Sequence, residues 1–482
     1  GQIIFGGDAL VFGIYLSAAV ICLTVGYAAG AAQNGRDRYM PLLAQTLLAG
    51  AFVSALLSFV QVFELWETAS WISLMPSGRR PGGNLGQPNH LGMLMLMGVV
   101  SLLFLYERGK INGLAAGLLL ATLLTSLAMT ESRAGALNFL LLSSWWLLHR
   151  KSVGSTVRPW FFGLAAAFYL SALWYWPQIL NWIQMVSDEG VTINTKPGSR
   201  LIIWPQLWDA VCLHPWFGWG LGAIPKAHNA VASQFEISEP FSYAHNILLD
   251  LALGIGLPLT CILVMLVALW FKRRLKAVRH LTQWYSMGLV LLLALHSLSE
   301  FTFAYSYFLV PVMLALGYFE AVSGFRAPIR VGSGVAGAFL LTASVLMVWS
   351  VLEYVQIEED FRIVRFEAMR IGQTPVDYKR PKVVVLTQLD ALLNGGRIVP
   401  KPSMPSEELE LAKNVALRYP WTALQNRYAL ALALNGQTEE ALRQIIVMRA
   451  MHGEKDYAQI KANWETLAKE KYPQLGELML PE

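Results

Sequence analysis

The residues of this chain best suited to chemistry are a few histidines and arginines, each standing beside a long apolar run. His245, in Tyr243-Ala244-His245-Asn246, immediately precedes the run that begins at Ile247, and a second His-Asn pair, His228-Asn229, lies upstream. Imidazole ordinarily titrates near neutrality, so a histidine at the mouth of an apolar helix can take a proton from an attacking hydroxyl. Ionisable groups at membrane depth are costly, and where they occur they tend to serve chemistry or transport. The helix after Asn246 would present loose N-terminal amides, which favour an anion nearby. The bland alternative is an interfacial histidine that only caps its helix.

Four further clusters accompany it. Arg133 stands in Glu131-Ser132-Arg133-Ala134-Gly135, at the start of an apolar helix, where a guanidinium can grip a phosphate with two parallel hydrogen bonds or simply reach for lipid headgroups. Arg200, Trp204 and Trp208 recur four apart and share one helix face, with Arg200 at its beginning. Gly83-Asn84-Leu85-Gly86-Gln87-Pro88-Asn89-His90, preceded by Arg80, is a turn rich in amides; Gln87, Asn89 and His90 are candidates for the wall of a polar pocket. His296-Ser297-Leu298-Ser299-Glu300, followed by Tyr305 and Tyr307, adds a carboxylate and two phenols. Arginines, amides and one base fit group transfer from a lipid-linked pyrophosphate. The arginines would hold the pyrophosphate and its developing charge, and His245 would activate the acceptor hydroxyl. With enough cationic side chains, such a leaving group needs no metal in principle, and no His, Cys, Asp or Glu grouping has metal-ligand spacing.

The elements that must position these residues are membrane helices. Of 482 residues, 55% are hydrophobic and 14% charged, against about 25% charged in soluble proteins. Ten runs approach the length of about 20 apolar residues that a spanning helix needs, at 11–33, 40–63, 90–106, 111–129, 134–149, 159–177, 246–270, 283–300, 304–322 and 332–352. Arg36 and Arg38, Arg108 and Lys110, Arg150 and Lys151, the Lys272–Arg279 group, and Arg326 with Arg330 fall after alternate runs, which the positive-inside rule places in the cytoplasm. The five clusters then lie together on the opposite face, where Arg79, Arg80, Arg133 and Arg200 need a reason other than topology. An anionic substrate supplies one.

The expected organisation is N-terminal transmembrane helices over 1–177 with an outer loop at 64–89, a long outer loop with interfacial helices over 178–245, C-terminal transmembrane helices over 246–352, and an outer helical tail over 353–482. In the tail, Asn435-Gly436 is a turn between two helical segments, which resemble a tetratricopeptide-like hairpin. A net charge of +5 without a basic, aromatic-interleaved patch gives no reason to expect nucleic-acid binding, and Cys22, Cys212 and Cys261 imply no structural disulfide. The chain opens on Gly with no basic segment before its first apolar run, so further N-terminal helices are expected in the natural protein.

GNLGQPNHLG (83–92), SRAG (132–135), the stretch from Arg200 to GWGLG (218–222), AHNILLDLALGIGLP (244–258) and HSLSEFTFAYSYFL (296–309) together resemble the superfamily of O-antigen ligases, O-antigen polymerases and bacterial protein O-oligosaccharyltransferases. The resemblance covers nearly the whole chain. It implies an all-α polytopic, GT-C-like glycosyltransferase of the bacterial inner membrane, with about ten transmembrane helices here and about twelve in the full protein. Its site would face the periplasm. It would take an undecaprenyl-diphosphate-linked glycan as donor, need no cofactor, and invert the anomeric carbon. The family's essential histidine matches His245, its basic residues match Arg133 and Arg200, and Gln87 matches a glutamine of the protein-glycosylating members. Asn246, His228, Glu300 and Tyr305 complete the expected pocket.

The acceptor lies between two readings, of which the sequence narrowly favours the first. In the first, the chain is an O-antigen ligase that delivers glycan to lipid A-core beside the membrane lipids; in the second it modifies a pilin or another periplasmic protein. A cleft beside the lipid and the lack of a dedicated peptide groove favour the ligase, while a tetratricopeptide-like tail favours a protein partner. A polymerase is a third possibility. A transporter of a lipid-linked anion would place its ionisable groups at mid-membrane in broken, repeated helices; here they gather at helix ends, without a convincing repeat.

Overall fold

The structure, a computed structural model, describes residues 5–32, 36–65, 72–73, 80–182, 200–325, 331–369 and 371–481. Arg79, Arg326, Arg330 and residues 183–199 of the long loop lie outside them. The helices run α1 Gly6–Ala31, α2 Arg36–Val62, α3 Pro88–Glu107, α4 Gly113–Met129, α5 Arg133–His149 and α6 Pro159–Trp182. They continue as α7 Arg200–Leu213, α8 Ile224–Ala232, α9 Ile247–Ile255, α10 Leu257–Leu275, α11 Leu281–His296 and α12 Ser306–Val322. The last are α13 Ser333–Met369, α14 Thr387–Arg397, α15 Ser406–Arg418, α16 Thr422–Leu434 and α17 Thr438–Glu470. Among the described residues there is no strand.

Each expected apolar run falls on a helix where it is described, the run at 283–300 leaving its helix after His296, and two runs differ further. The run at 246–270 is two helices, because Gly256 takes a left-handed φ of +82° between α9 and α10. A Cβ at Gly256 would stand 2.3 Å from the carbonyl oxygen of Trp216, so the break requires glycine. The run at 332–352 continues without interruption to Met369, so the expected tail begins inside a helix. Among the described residues, Gly6–Ala31, Asp37–Val62, Pro88–Glu107 and Ser333–Met369 are long and apolar enough to cross a membrane, and α4, α11 and α12 are apolar but shorter. The chain is an all-helical, membrane-embedded protein.

The chain divides into two compact units. One comprises residues 18–196 and 267–330. Its core is built on α3, whose Leu91, Met93, Leu96, Val100 and Phe104 are buried among side chains of α2, α4, α5, α11 and α12. α1 and α12 approach backbone to backbone, since a Cβ at Gly317 would meet the carbonyl oxygen of Leu23 at 1.9 Å. Small residues at such crossings permit close packing where no hydrophobic force drives helices together. Asn112 caps α4 by accepting from the Ala115 amide at 2.9 Å, and Ser132 caps α5 by accepting from Gly135 at 3.0 Å.

The other unit comprises residues 1–17, 197–266 and 331–482. Ile203, Leu207 and Val211 of α7 pack with Ile224 and Val231 of α8 and with Ala252 and Leu253 of α9. The expected hairpin is present as α16 and α17, turning at Asn435-Gly436, and α17 kinks at Gly453. The hairpin is joined to α8 through an amide pair, Asn229 with Gln444, at 3.1 Å in each direction, and Arg443 donates to the Asn229 carbonyl at 3.2 Å.

Candidate functional site

In the unit built on α3, the turn before α3 and the turn before α5 are joined by one polar network. Asn89 is its hub. Its carbonyl oxygen accepts from the Ser132 hydroxyl at 2.8 Å and from Arg80 at 3.3 Å, and its amide donates to the Glu300 carboxylate. Arg80 also donates to the Thr130 carbonyl at 2.6 Å. Glu300 is 1% exposed, so its carboxyl group depends on protein partners such as the Asn89 amide rather than on water. His90 is fully buried; its Nδ1 lies 3.0 Å from the Tyr307 hydroxyl, and its ring meets the edge of Tyr305 at 4.4 Å between centroids. Gln87 ends the turn with its side-chain carbonyl oxygen buried and unpartnered among the described residues. Arg133 is the first residue of α5 and is exposed, immediately after the Ser132 that joins the network.

In the other unit, Arg200 is the first residue of α7 and His245 closes the turn before α9. His245 has a φ of +53°. For a residue with a Cβ this costs about 1–3 kcal/mol and persists only where its surroundings over-determine it. Asn246 caps α9, accepting from Leu248 at 3.0 Å and Leu249 at 3.3 Å, and the Phe241 ring meets the His245 imidazole edge-on at 5.1 Å. Behind this turn, Trp204 donates its indole N–H to the Ala244 carbonyl at 2.8 Å, and Asp250 accepts the Ala244 amide at 2.7 Å.

His228 is placed differently from its expected pocket position. It is fully buried, with Nε2 3.0 Å from the Gln206 side-chain oxygen and 2.8 Å from the Ser238 hydroxyl. Desolvation pushes its pKa down to about 4, so it is neutral inside its unit. Thus Arg80, Asn89 and Glu300 are linked in one network, His90 and Tyr305 are in ring contact, Asn246 caps its own helix, and His228 serves the interior. Sequence reasoning missed Ser132 and Thr130 as network members, and it missed Asp250. A lone Asp in the first turn of an apolar helix reads as a partner of the helix dipole. An apolar cavity of about 290 Å³, lined by residues such as Leu102, Tyr106, Phe139 and Trp160, contains none of the candidate residues.

A family model described as "O-Antigen ligase" matches residues 118–264. A second, described as "Virulence factor membrane-bound polymerase, C-terminal", matches residues 284–466. Over these two regions the chain is similar to the superfamily of O-antigen ligases and membrane-bound polymerases. It is 24% identical over 483 residues to the "General O-oligosaccharyltransferase" of Acinetobacter baylyi (strain ATCC 33305 / BD413 / ADP1), covering 95% of this chain and 81% of that protein. It is 28% identical over 288 residues to the "ComP-specific O-oligosaccharyltransferase" of the same organism, covering 59% of this chain and 52% of that protein. No solved structure matches.

Both relatives are named for oligosaccharide transfer, and the apolar helices together with the ligase-model match make the chain a membrane-embedded protein. Arg133, Arg200 and His245 fall inside the ligase-model region, 118–264, and Glu300 and Tyr305 fall inside the second region, 284–466. The Arg80 to His90 turn precedes both. It is tied to the ligase region by the Asn89–Ser132 hydrogen bond.

Proposed function

We propose that this protein is an O-oligosaccharyltransferase of the bacterial inner membrane, acting at its periplasmic face on a hydroxyl of an exported protein such as a pilin. The donor is an undecaprenyl-diphosphate-linked glycan. The acceptor oxygen attacks the anomeric carbon, the bond from that carbon to the diphosphate oxygen breaks, and the configuration inverts. His245 takes the hydroxyl proton; Arg133 and Arg200 hold the diphosphate and the charge that grows on it as it leaves. The observation that carries this reading is the alignment with the "General O-oligosaccharyltransferase" over 95% of the chain. The Gln87 side-chain oxygen, buried and without a partner among the described residues, supports it, because a buried acceptor without a partner is costly unless a ligand donor meets it.

A second reading keeps the donor and the base and changes the acceptor to lipid A-core. It is favoured by the ligase model over 118–264. The sequence placed that acceptor first; the two relatives named for O-oligosaccharide transfer move protein ahead of it. The deciding experiment offers purified protein an undecaprenyl-diphosphate-linked glycan with lipid A-core and a pilin as competing acceptors, beside the His245→Ala variant. Glycan on the pilin, lost in the variant, is the expected result. Glycan on lipid A-core alone makes the protein a ligase, and full transfer by His245→Ala removes the base assignment.

A further inference from the structure

The left-handed backbone at His245 needs a cause, and one peptide group supplies it. The plane that precedes the His245 Cα is the amide between Ala244 and His245. Its carbonyl accepts the Trp204 indole N–H at 2.8 Å. One bond back, the Ala244 N–H donates to the Asp250 carboxylate at 2.7 Å, from a carboxylate whose second oxygen is buried and unpartnered among the described residues. After His245, the Asn246 side chain locks the chain into the first turn of α9. The histidine is thus bracketed by three side-chain contacts to backbone, from α7, from within α9 and from its cap, and Ala244 itself is 3% exposed. A φ of +53° has little freedom in such a frame.

We propose that Asp250 and Trp204 are positioning residues for glycosyl transfer: together they clamp the Ala244 backbone so that the His245 imidazole is presented at a fixed angle. The proposal rests on the reading of His245 as the base. Neither side chain touches a reacting atom. Asp250 acts through the Ala244 N–H, and Trp204 acts through the Ala244 carbonyl. Trp204 lies one turn after Arg200 on α7, so the same indole bond ties the histidine's peptide to the helix that Arg200 begins. Misplacement of a catalytic group by about 1 Å is enough to cost about a hundredfold in rate.

The test measures kcat and donor KM for transfer from undecaprenyl-diphosphate-linked glycan, with a pilin and lipid A-core both offered. Asp250→Ala and Trp204→Phe should each lower kcat by about 10- to 100-fold while donor KM moves by less than about threefold. Asp250→Asn keeps an oxygen that can accept from Ala244 and should recover most of the loss. Hydrogen exchange of the peptide containing Ala244 gives a readout that needs no turnover. Protection should fall in Asp250→Ala and return in Asp250→Asn. Wild-type kcat in Asp250→Ala, or a loss that Asp250→Asn shares in full with unchanged Ala244 protection, overturns the clamp. If His245→Ala transfers normally while Asp250→Ala still loses protection at Ala244, the backbone contact stands and the base assignment, with the catalytic part of this proposal, falls.

Discussion

His228 gives the sharpest stability prediction. Ser238 donates its hydroxyl to the Gln206 oxygen at 2.7 Å, and the His228 Nε2 lies against both. Consistency within the trio puts the imidazole proton on Nε2, where it donates to an oxygen, and leaves Nδ1 as a buried acceptor without a partner among the described residues. A second proton would go to Nδ1 and bury a charge with no acceptor beside it among the described residues, and burial pushes the pKa from 6.5 to about 4. The folded state therefore binds the proton less readily than the unfolded state. The contribution to stability is complete above pH 6.5, declines as pH falls from there, and levels off below about 4. At about 1.4 kcal/mol per pH unit the whole acid limb is worth about 3 kcal/mol. For a chain of this size that is a melting-temperature change of about 3 °C. Carboxylates titrate in the lower part of the same window, so the quantity to read is a difference. His228→Gln places a non-titrating donor near Nε2; its melting temperature in detergent, followed from pH 8 to 4, should fall less steeply than that of the wild type. Parallel curves for the two proteins would refute the assignment of a buried, neutral histidine.

Three other outcomes are expected. Arg133→Lys and Arg200→Lys keep the charge and lose the planar fork, and each should lower kcat/KM for the donor by about tenfold; full activity in both would remove the diphosphate clamp. Asn89→Asp turns the donor facing the buried Glu300 into a second carboxylate and should cost about 2–3 kcal/mol of stability, read as a lower melting temperature. Adding Glu300→Gln should restore part of it, and no restoration would mean that Asn89 and Glu300 are not coupled. Transfer should continue in excess chelator, because the sequence offers no spacing of metal ligands; loss that is reversed by an added divalent ion would overturn that expectation.

Much of the fold was legible because a bilayer imposes a simple rule of length and apolarity. α2 at Arg36–Val62, α3 at Pro88–Glu107 and α6 at Pro159–Trp182 lie close to the runs read from composition alone. The break between α9 and α10 was not legible. Gly256 and Pro258 are tolerated within apolar helices, and what decides the break is the carbonyl of Trp216, forty residues away in sequence, which leaves no room for a Cβ. The same distinction separates Arg80 from His228. Arg80, which the alternation of charged loops would put on the face that disfavours a positive charge, advertised a polar environment and is found in one, against Asn89 and the Thr130 carbonyl. His228 advertised chemistry by residue type and by an Asn neighbour, yet its surroundings are Gln206 and Ser238, neither of which stands near it in sequence.

Residue type therefore announces what a side chain can do, and long-range packing decides what it is allowed to do. His245 and His228 make the contrast within one unit. Both precede an asparagine. At His228 the asparagine turns away to pair with Gln444 of the tail, and the imidazole is sealed among neutral partners that lower its affinity for a proton. At His245 the asparagine caps the helix that follows, and Trp204 and Asp250 bond the backbone of the neighbouring Ala244. A base must exchange protons during turnover, which the sealed His228 imidazole resists. That burial, more than the shared His-Asn spelling, is the physical reason His228 is an internal, pH-sensitive joint and the proposed proton transfer is not placed on it.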